Sequence, residues 1–99
     1  MSIDVITPQW PAPANVGAAI SLRSGGCSSA PFDQSNLALH VQDQPETVLA
    51  NRHSLAESLK LPAQPLWLDQ VHGTDIIYAP GVYAPESADT PRADGSFSD

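Results

Sequence analysis

The chain has one cysteine, Cys27, so no disulfide can form within it. Basic residues are nearly as scarce: Arg23, Arg52, Lys60 and Arg92 are the only four, against eleven acids, and the formal net charge is −7. Nucleic-acid affinity depends on Lys and Arg neutralising phosphates. Four scattered cations form no patch, which argues against a nucleic-acid or anionic-membrane partner; the acid excess favours solubility. No apolar run approaches the length of a membrane span. The opening Met1-Ser2-Ile3-Asp4 lacks the basic and apolar regions of a signal peptide. A soluble cytoplasmic protein is the expectation. There is no internal repeat and no low-complexity tract.

Ninety-nine residues with a hydrophobic share of 41% supply one domain at most, spanning 1–99, with a modest core. Ten prolines and six glycines predict long loops between few regular elements. Pro8, Pro11 and Pro13 around Trp10 read as an extended arm. Val16, Ala18, Ile20 and Leu22 alternate with smaller or polar residues, the period of a strand, and Gly25-Gly26 ends it in a turn. Asp43-Gln44-Pro45-Glu46 reads as a helix start, with Asp43 as cap and Glu46 completing a capping box. Val48, Leu49, Arg52, Leu55, Ala56 and Leu59 keep helical spacing, and Pro62 disfavours helix at Leu61. A helix over 44–59 follows, packing Val48, Leu55 and Leu59 inward. Leu66-Trp67-Leu68 and residues 75–79 read as strands flanking residues 70–74. Residues 80–99 read as a loop opening into a further strand at Gly95-Ser96-Phe97. Strand, helix, strand, strand gives an α+β class with a mixed sheet partly covered by helix.

Few residues have the chemistry for a site. His72 follows the apolar 66–68 stretch and precedes Gly73, which lets the chain turn away without covering the ring. That arrangement suits an imidazole offered to a metal or substrate; a histidine satisfied by backbone hydrogen bonds fits the same residues. A catalytic zinc usually takes three protein ligands, and no zinc-ribbon or HExxH spacing is present. His40 follows a short apolar piece and is the nearest second candidate; His53 falls off the apolar stripe of the helix and faces solvent. Arg23, just before Ser24-Gly25-Gly26, suits a phosphate or carboxylate contact, but an ordinary turn with a surface arginine is the favoured reading of the residues alone. Cys27 lacks a base at useful spacing and reads as a bystander thiol. Asp69 is badly placed to orient the His72 ring, and Asp94-Gly95 reads as a turn.

Read together, several segments resemble the YfiH-type, or laccase-domain, family. Pro8-Gln9-Trp10-Pro11 resembles its opening, and Ser21 to Ser28 its "STRxGGVS" turn. Phe32 to Val41 resembles "YDSLNLGLHV", Asn51-Arg52 its helical "NR" pair, Trp67 to Gly73 its "WLxQVHG" segment and Ala93-Asp94-Gly95 its "ADG" loop. Cys27 stands where the family usually has valine, and Gln42 where it usually has glycine.

The resemblance implies an α+β fold of sheets packed against helices, of which this chain is the N-terminal portion. Members were labelled multicopper polyphenol oxidases and later described as zinc-dependent purine nucleoside phosphorylases. The resemblance makes His72 a zinc ligand and a catalytic residue, with Arg23, Asn36 and His40 as substrate-binding residues. The other two ligands would come from a "TADC" cysteine and a "HAGWRG" histidine, neither of which lies in these residues. The expected partners are a purine nucleoside and phosphate, with adenosine deamination as a side activity. A peptidoglycan-precursor amidase, suggested by the editing-factor branch, and a non-catalytic truncated paralogue are the alternatives. Self-association through uncovered strand edges is a further expectation.

Overall fold

A computed structural model describes residues 2–79 and 90–97. It divides into two compact units, Met1–Leu61 and Pro62–Asp99. The first carries strands β1 (Val5–Ile6) and β2 (Ile20–Ser21) and helix α1 (Pro45–Ser58), with a 3-10 turn over Leu39–Val41. The second carries β3 (Ile76–Tyr78) and β4 (Gly95–Phe97). The α+β content is as expected, but the strands form two separate two-stranded sheets, not one mixed sheet: β1 and β2 pair antiparallel, β3 and β4 parallel. Among the described residues no helix is long and apolar enough to cross a membrane.

The strand expected over 16–22 shrinks to Ile20–Ser21. The register explains this. Val5 faces Ser21 and Ile6 faces Ile20, so continued pairing would set Pro8 against Ala18, and proline has no N–H to donate. The alternating side chains are not buried: Val16, Ile20 and Leu22 are exposed. Leu66-Trp67-Leu68 likewise forms no strand; pairing there starts at a single parallel bridge between Asp69 and Arg92. The β4 strand falls where expected, whereas the loop expected over 80–89 lies outside the described residues.

Helix α1 matches its predicted span, but its start differs. Gln44, not Asp43, is the N-cap residue, and no side chain caps the helix. The expected capping box is therefore one residue out of register. The Asp43 carboxylate is engaged elsewhere: it accepts from the Ser28 hydroxyl at 2.7 Å, from Asn36 Nδ2 at 3.2 Å and from the Gln44 N–H at 2.8 Å. The C-terminus closes by backbone alone. Leu61 N–H reaches the Ala56 carbonyl and Lys60 N–H the Glu57 carbonyl, with Lys60 left-handed at φ 55. That is the Schellman arrangement, and Pro62 follows it.

The inner face of α1 is only partly apolar. Val48 and Leu55 are buried as expected and Leu59 is half-buried, but Asn51, Arg52 and Ser54 are buried beside them and Leu49 is exposed. The polar pair holds the loop that precedes the helix. Asn51 Oδ1 accepts the Cys27 N–H at 2.9 Å. Its Nδ2 donates to Ser28 Oγ at 2.9 Å and to the Asn36 carbonyl at 2.8 Å. Arg52 Nε donates to the Leu37 carbonyl at 2.8 Å. A helix otherwise short of apolar contacts is thus joined to residues 27–37 by hydrogen bonds. Gln42, in the place of the family's usual glycine, is left-handed at φ 74, the conformation glycine adopts without steric cost.

Asp43 gives this network a pH dependence. The Ser28 hydrogen bond is the main cause that holds its carboxyl below the ordinary aspartate value; partial burial opposes it, and the Asn36 and Gln44 bonds assist. A folded-state pKa below the unfolded one stabilises the fold fully above the unfolded value, near 4, and this contribution is lost as pH falls through the folded value. Urea midpoints of the wild type should therefore drop more on acidification below about pH 4 than those of Asp43→Asn. Parallel pH profiles would refute this.

Candidate functional site

His72 sits in a turn built by backbone hydrogen bonds with residues 91–94. Asp69 N–H donates to the Pro91 carbonyl at 2.9 Å, Ala93 N–H to the Asp69 carbonyl at 3.2 Å and Asp94 N–H to the Asp75 carbonyl at 3.0 Å. Residues 69–75 are thereby held at both ends. Inside the turn, Asp94 Oδ1 accepts the Val71 N–H at 3.1 Å and the His72 N–H at 2.7 Å, and Oδ2 accepts the Gly73 N–H at 2.8 Å. Three successive backbone N–H groups form a concavity suited to an anion, and the Asp94 carboxylate fills it.

Two expectations are corrected here. The left-handed residue is His72, at φ 58, and not Gly73. A Cβ at Gly73 would meet Asp94 Oδ2 at 3.4 Å, an ordinary contact. Asp94 is also more than a turn residue, since its side chain bonds residues more than twenty positions earlier. Partial burial works to raise the Asp94 pKa, but the Gly73, His72 and Val71 N–H groups, with the charge of His72, together hold it below the ordinary value. His72 is exposed. It lies between the Asp69 bridge and β3, not at the end of a 66–68 strand.

The other expected site residues lie in the first unit. Arg23 and Asn36 line one open depression of about 280 Å³, together with Pro31, Phe32, Asp33 and Ser35. Arg23 also lines a second depression of about 510 Å³. Its Nε donates to the Asp33 carbonyl at 2.8 Å, and its Nη2 lies 3.9 Å from the Asp33 carboxylate. An anion reaching Arg23 would compete with Asp33, but the exposed guanidinium leaves room for one. Asn36 is committed to structure: its Oδ1 accepts the Ala38 N–H, and its Nδ2 donates to the Ala38 carbonyl and to Asp43. His40 lies in the 3-10 turn and is not among the residues lining either depression. His53 is exposed as expected and pairs with Glu57 at 3.6 Å. The Cys27 thiol lies 3.4 Å from Asn51 Oδ1 and 3.8 Å from the Thr47 carbonyl.

Residues 17–99 match the family described as multi-copper polyphenol oxidoreductase laccase. The chain belongs to this laccase-domain family. This bears out the resemblance carried by the glycine turn, the Asn51-Arg52 pair, the 67–73 segment and the 93–95 loop. The laccase-domain chain is 47% identical to a purine nucleoside phosphorylase of Pseudomonas aeruginosa, over 94% of its own length and 35% of that protein's. It is 44% identical to the purine nucleoside phosphorylase YfiH of Escherichia coli, over 95% of its length and 37% of that protein's. It also resembles the crystal structure of Neisseria meningitidis protein NMB0706, with a TM-score of 0.64 and 39% identity, covering 75% of this chain and 30% of that one. The chain thus spans about a third of the length of the curated relatives it matches.

The family description implies a metal, and the donor set tests this. Among the described residues no group of three or more His, Cys, Asp and Glu side chains is gathered so as to hold an ion. His72 stands as one imidazole donor, and Cys27 lies in the other unit beside an amide and a carbonyl. The described residues do not by themselves fit a copper or zinc centre with three protein ligands.

Proposed function

We propose that residues 1–99 are the N-terminal portion of one laccase-type domain, with sheets packed against helices, whose whole form is a zinc-dependent purine nucleoside phosphorylase. On this reading the domain cleaves the N-glycosidic bond of adenosine or inosine with phosphate. The observation that carries it is the 44–47% identity, over nearly the whole chain, to proteins named purine nucleoside phosphorylases. The exposed, left-handed His72 supports the assignment of that residue as a metal ligand and catalytic residue. Arg23, beside two open depressions, is the proposed phosphate contact, with Asn36 on the wall of one and His40 the weaker third substrate residue. The exposed side chains of Ile76, Tyr78 and Phe97 support self-association of the 99-residue form.

With one imidazole donor in the turn, the 99-residue chain is expected to bind zinc weakly and to show no phosphorolysis. Titration with zinc should detect binding that His72→Ala abolishes. Incubation with inosine, phosphate and zinc should release no ribose-1-phosphate above the His72→Ala control. Zinc binding unaffected by His72→Ala would remove His72 from the metal site. Turnover that depends on His72 would show that this chain, alone or paired, assembles a complete centre.

A further inference from the structure

The 70–75 turn contains an unusual pairing. A histidine adopts a left-handed backbone, φ 58, a conformation that only a few per cent of non-glycine residues take, though histidine takes it more readily than most. Its own N–H and those of its two neighbours all end on one carboxylate, that of Asp94. Without that acceptor the three convergent N–H groups would lose the negative charge that offsets their mutual repulsion. We propose that Asp94 is a positioning residue for His72: its carboxylate clamps the Val71, His72 and Gly73 N–H groups and so fixes the backbone from which the imidazole is presented. The role follows from the division of labour between the oxygens. Oδ1 serves Val71 and His72, Oδ2 serves Gly73. Asp94 is anchored from its backbone as well: its N–H donates to the Asp75 carbonyl at the end of the turn, and Gly95, the next residue, starts β4.

The inference rests on the reading of His72 as the reactive residue, and the two can fail separately. In the 99-residue chain, amide hydrogen exchange and the one-bond Cα–Hα coupling of His72, which separates positive from negative φ, should be measured by NMR. Asp94→Ala should speed exchange at Val71, His72 and Gly73 by about tenfold or more, and should shift the His72 coupling away from its left-handed value. Amides of Val48 and Leu55, in the other unit, should be unchanged. Asp94→Asn keeps one oxygen and replaces the other by an NH₂ group, so Gly73 should lose its protection while Val71 and His72 retain most of theirs. Uniform acceleration that includes Val48 and Leu55, or an unchanged His72 coupling in Asp94→Ala, would overturn the proposal. Selective release of the turn together with at least about threefold weaker zinc binding supports it in full. Selective release with zinc binding that survives His72→Ala leaves the clamp in place and removes the functional reading of His72.

Discussion

Replacing Asn51 by alanine should destabilise the chain by about 3–5 kcal/mol. Asn51 is fully buried, and its amide is the junction between helix α1 and the 27–37 loop. Truncation would leave the Cys27 N–H without its acceptor and would take a donor from both Ser28 Oγ and the Asn36 carbonyl. Each polar group orphaned inside a protein costs about 1–3 kcal/mol. Two groups in partly buried surroundings, the Cys27 N–H and the Asn36 carbonyl, lose their partner, and Ser28 Oγ loses one of its two bonds; together these set the range. The loss also propagates, since Ser28 donates onward to Asp43, which in turn binds Asn36. Asn51→Asp is the sharper control. It keeps the acceptor for Cys27 but sets a carboxylate oxygen against the Asn36 and Gln34 carbonyls, both of which now receive Nδ2. At neutral pH it should be no more stable than Asn51→Ala. Urea unfolding followed by helical circular dichroism measures both. A loss below about 1 kcal/mol for the alanine variant would show that water satisfies these groups and that the amide is not the junction.

Asn51 also shows where the sequence stops being legible. The span of α1 could be read because Pro45, the spacing of Val48 and Leu55, and Pro62 are local signals. The inward packing of Val48 and Leu55 could be read too, but the burial of Asn51 could not, because a buried asparagine between apolar positions looks like a solvent-facing one until its partners are known. Those partners lie 15–24 residues away. Strand lengths failed for a related reason. The alternation of Val16, Ala18, Ile20 and Leu22 is genuine, but the strand can be no longer than its partner, and Pro8 ends that partner's pairing. At the candidate site, motif order identified the 67–73 segment and the family. It placed the turning freedom at Gly73 because glycine is the usual carrier of φ > 0. The structure gives that freedom to His72 and supplies the stabilising acceptor from Asp94, a long-range contact with no local signature. Arg23 and Asn36 line one depression, but hydrogen bonds already engage both.

The second large effect is expected at Gly26. The residue's φ lies outside the left-handed range, so any substitution penalty there is steric. A Cβ would collide with the Gln34 carbonyl oxygen, lie 2.7 Å from the Ser35 Cα and 2.8 Å from Asn51 Oδ1. Relief would require the 34–35 backbone to withdraw. That backbone is tied down: Gln34 and Ser35 N–H groups both donate to the Arg23 carbonyl, Ser28 N–H donates to the Gln34 carbonyl, and Ser35 Oγ donates to the Ser24 carbonyl. Asn51 cannot yield either without giving up the bonds that join helix to loop. Forcing a methyl group into a well-packed site costs about 1–3 kcal/mol, and more where the neighbours are backbone, so Gly26→Ala is expected to lose at least about 3 kcal/mol. Gly25 carries a second penalty. It is left-handed at φ 98, and a Cβ there would meet the Ser2 carbonyl, the Ile3 Cα at 2.9 Å and the Asp4 N at 3.0 Å. Its neighbours are also backbone, in a segment held by the Asp4 N–H to Ser24 carbonyl and Leu22 N–H to Asp4 carbonyl bonds and by buried Ile3, so Gly25→Ala adds left-handed strain of about 1–3 kcal/mol to a backbone clash and should lose at least as much as Gly26→Ala. A loss below about 1 kcal/mol for Gly26→Ala on chemical denaturation would show that the 34–35 loop is less firmly held than its hydrogen bonds imply, and the junction at Asn51 would have to be weaker in the same measure.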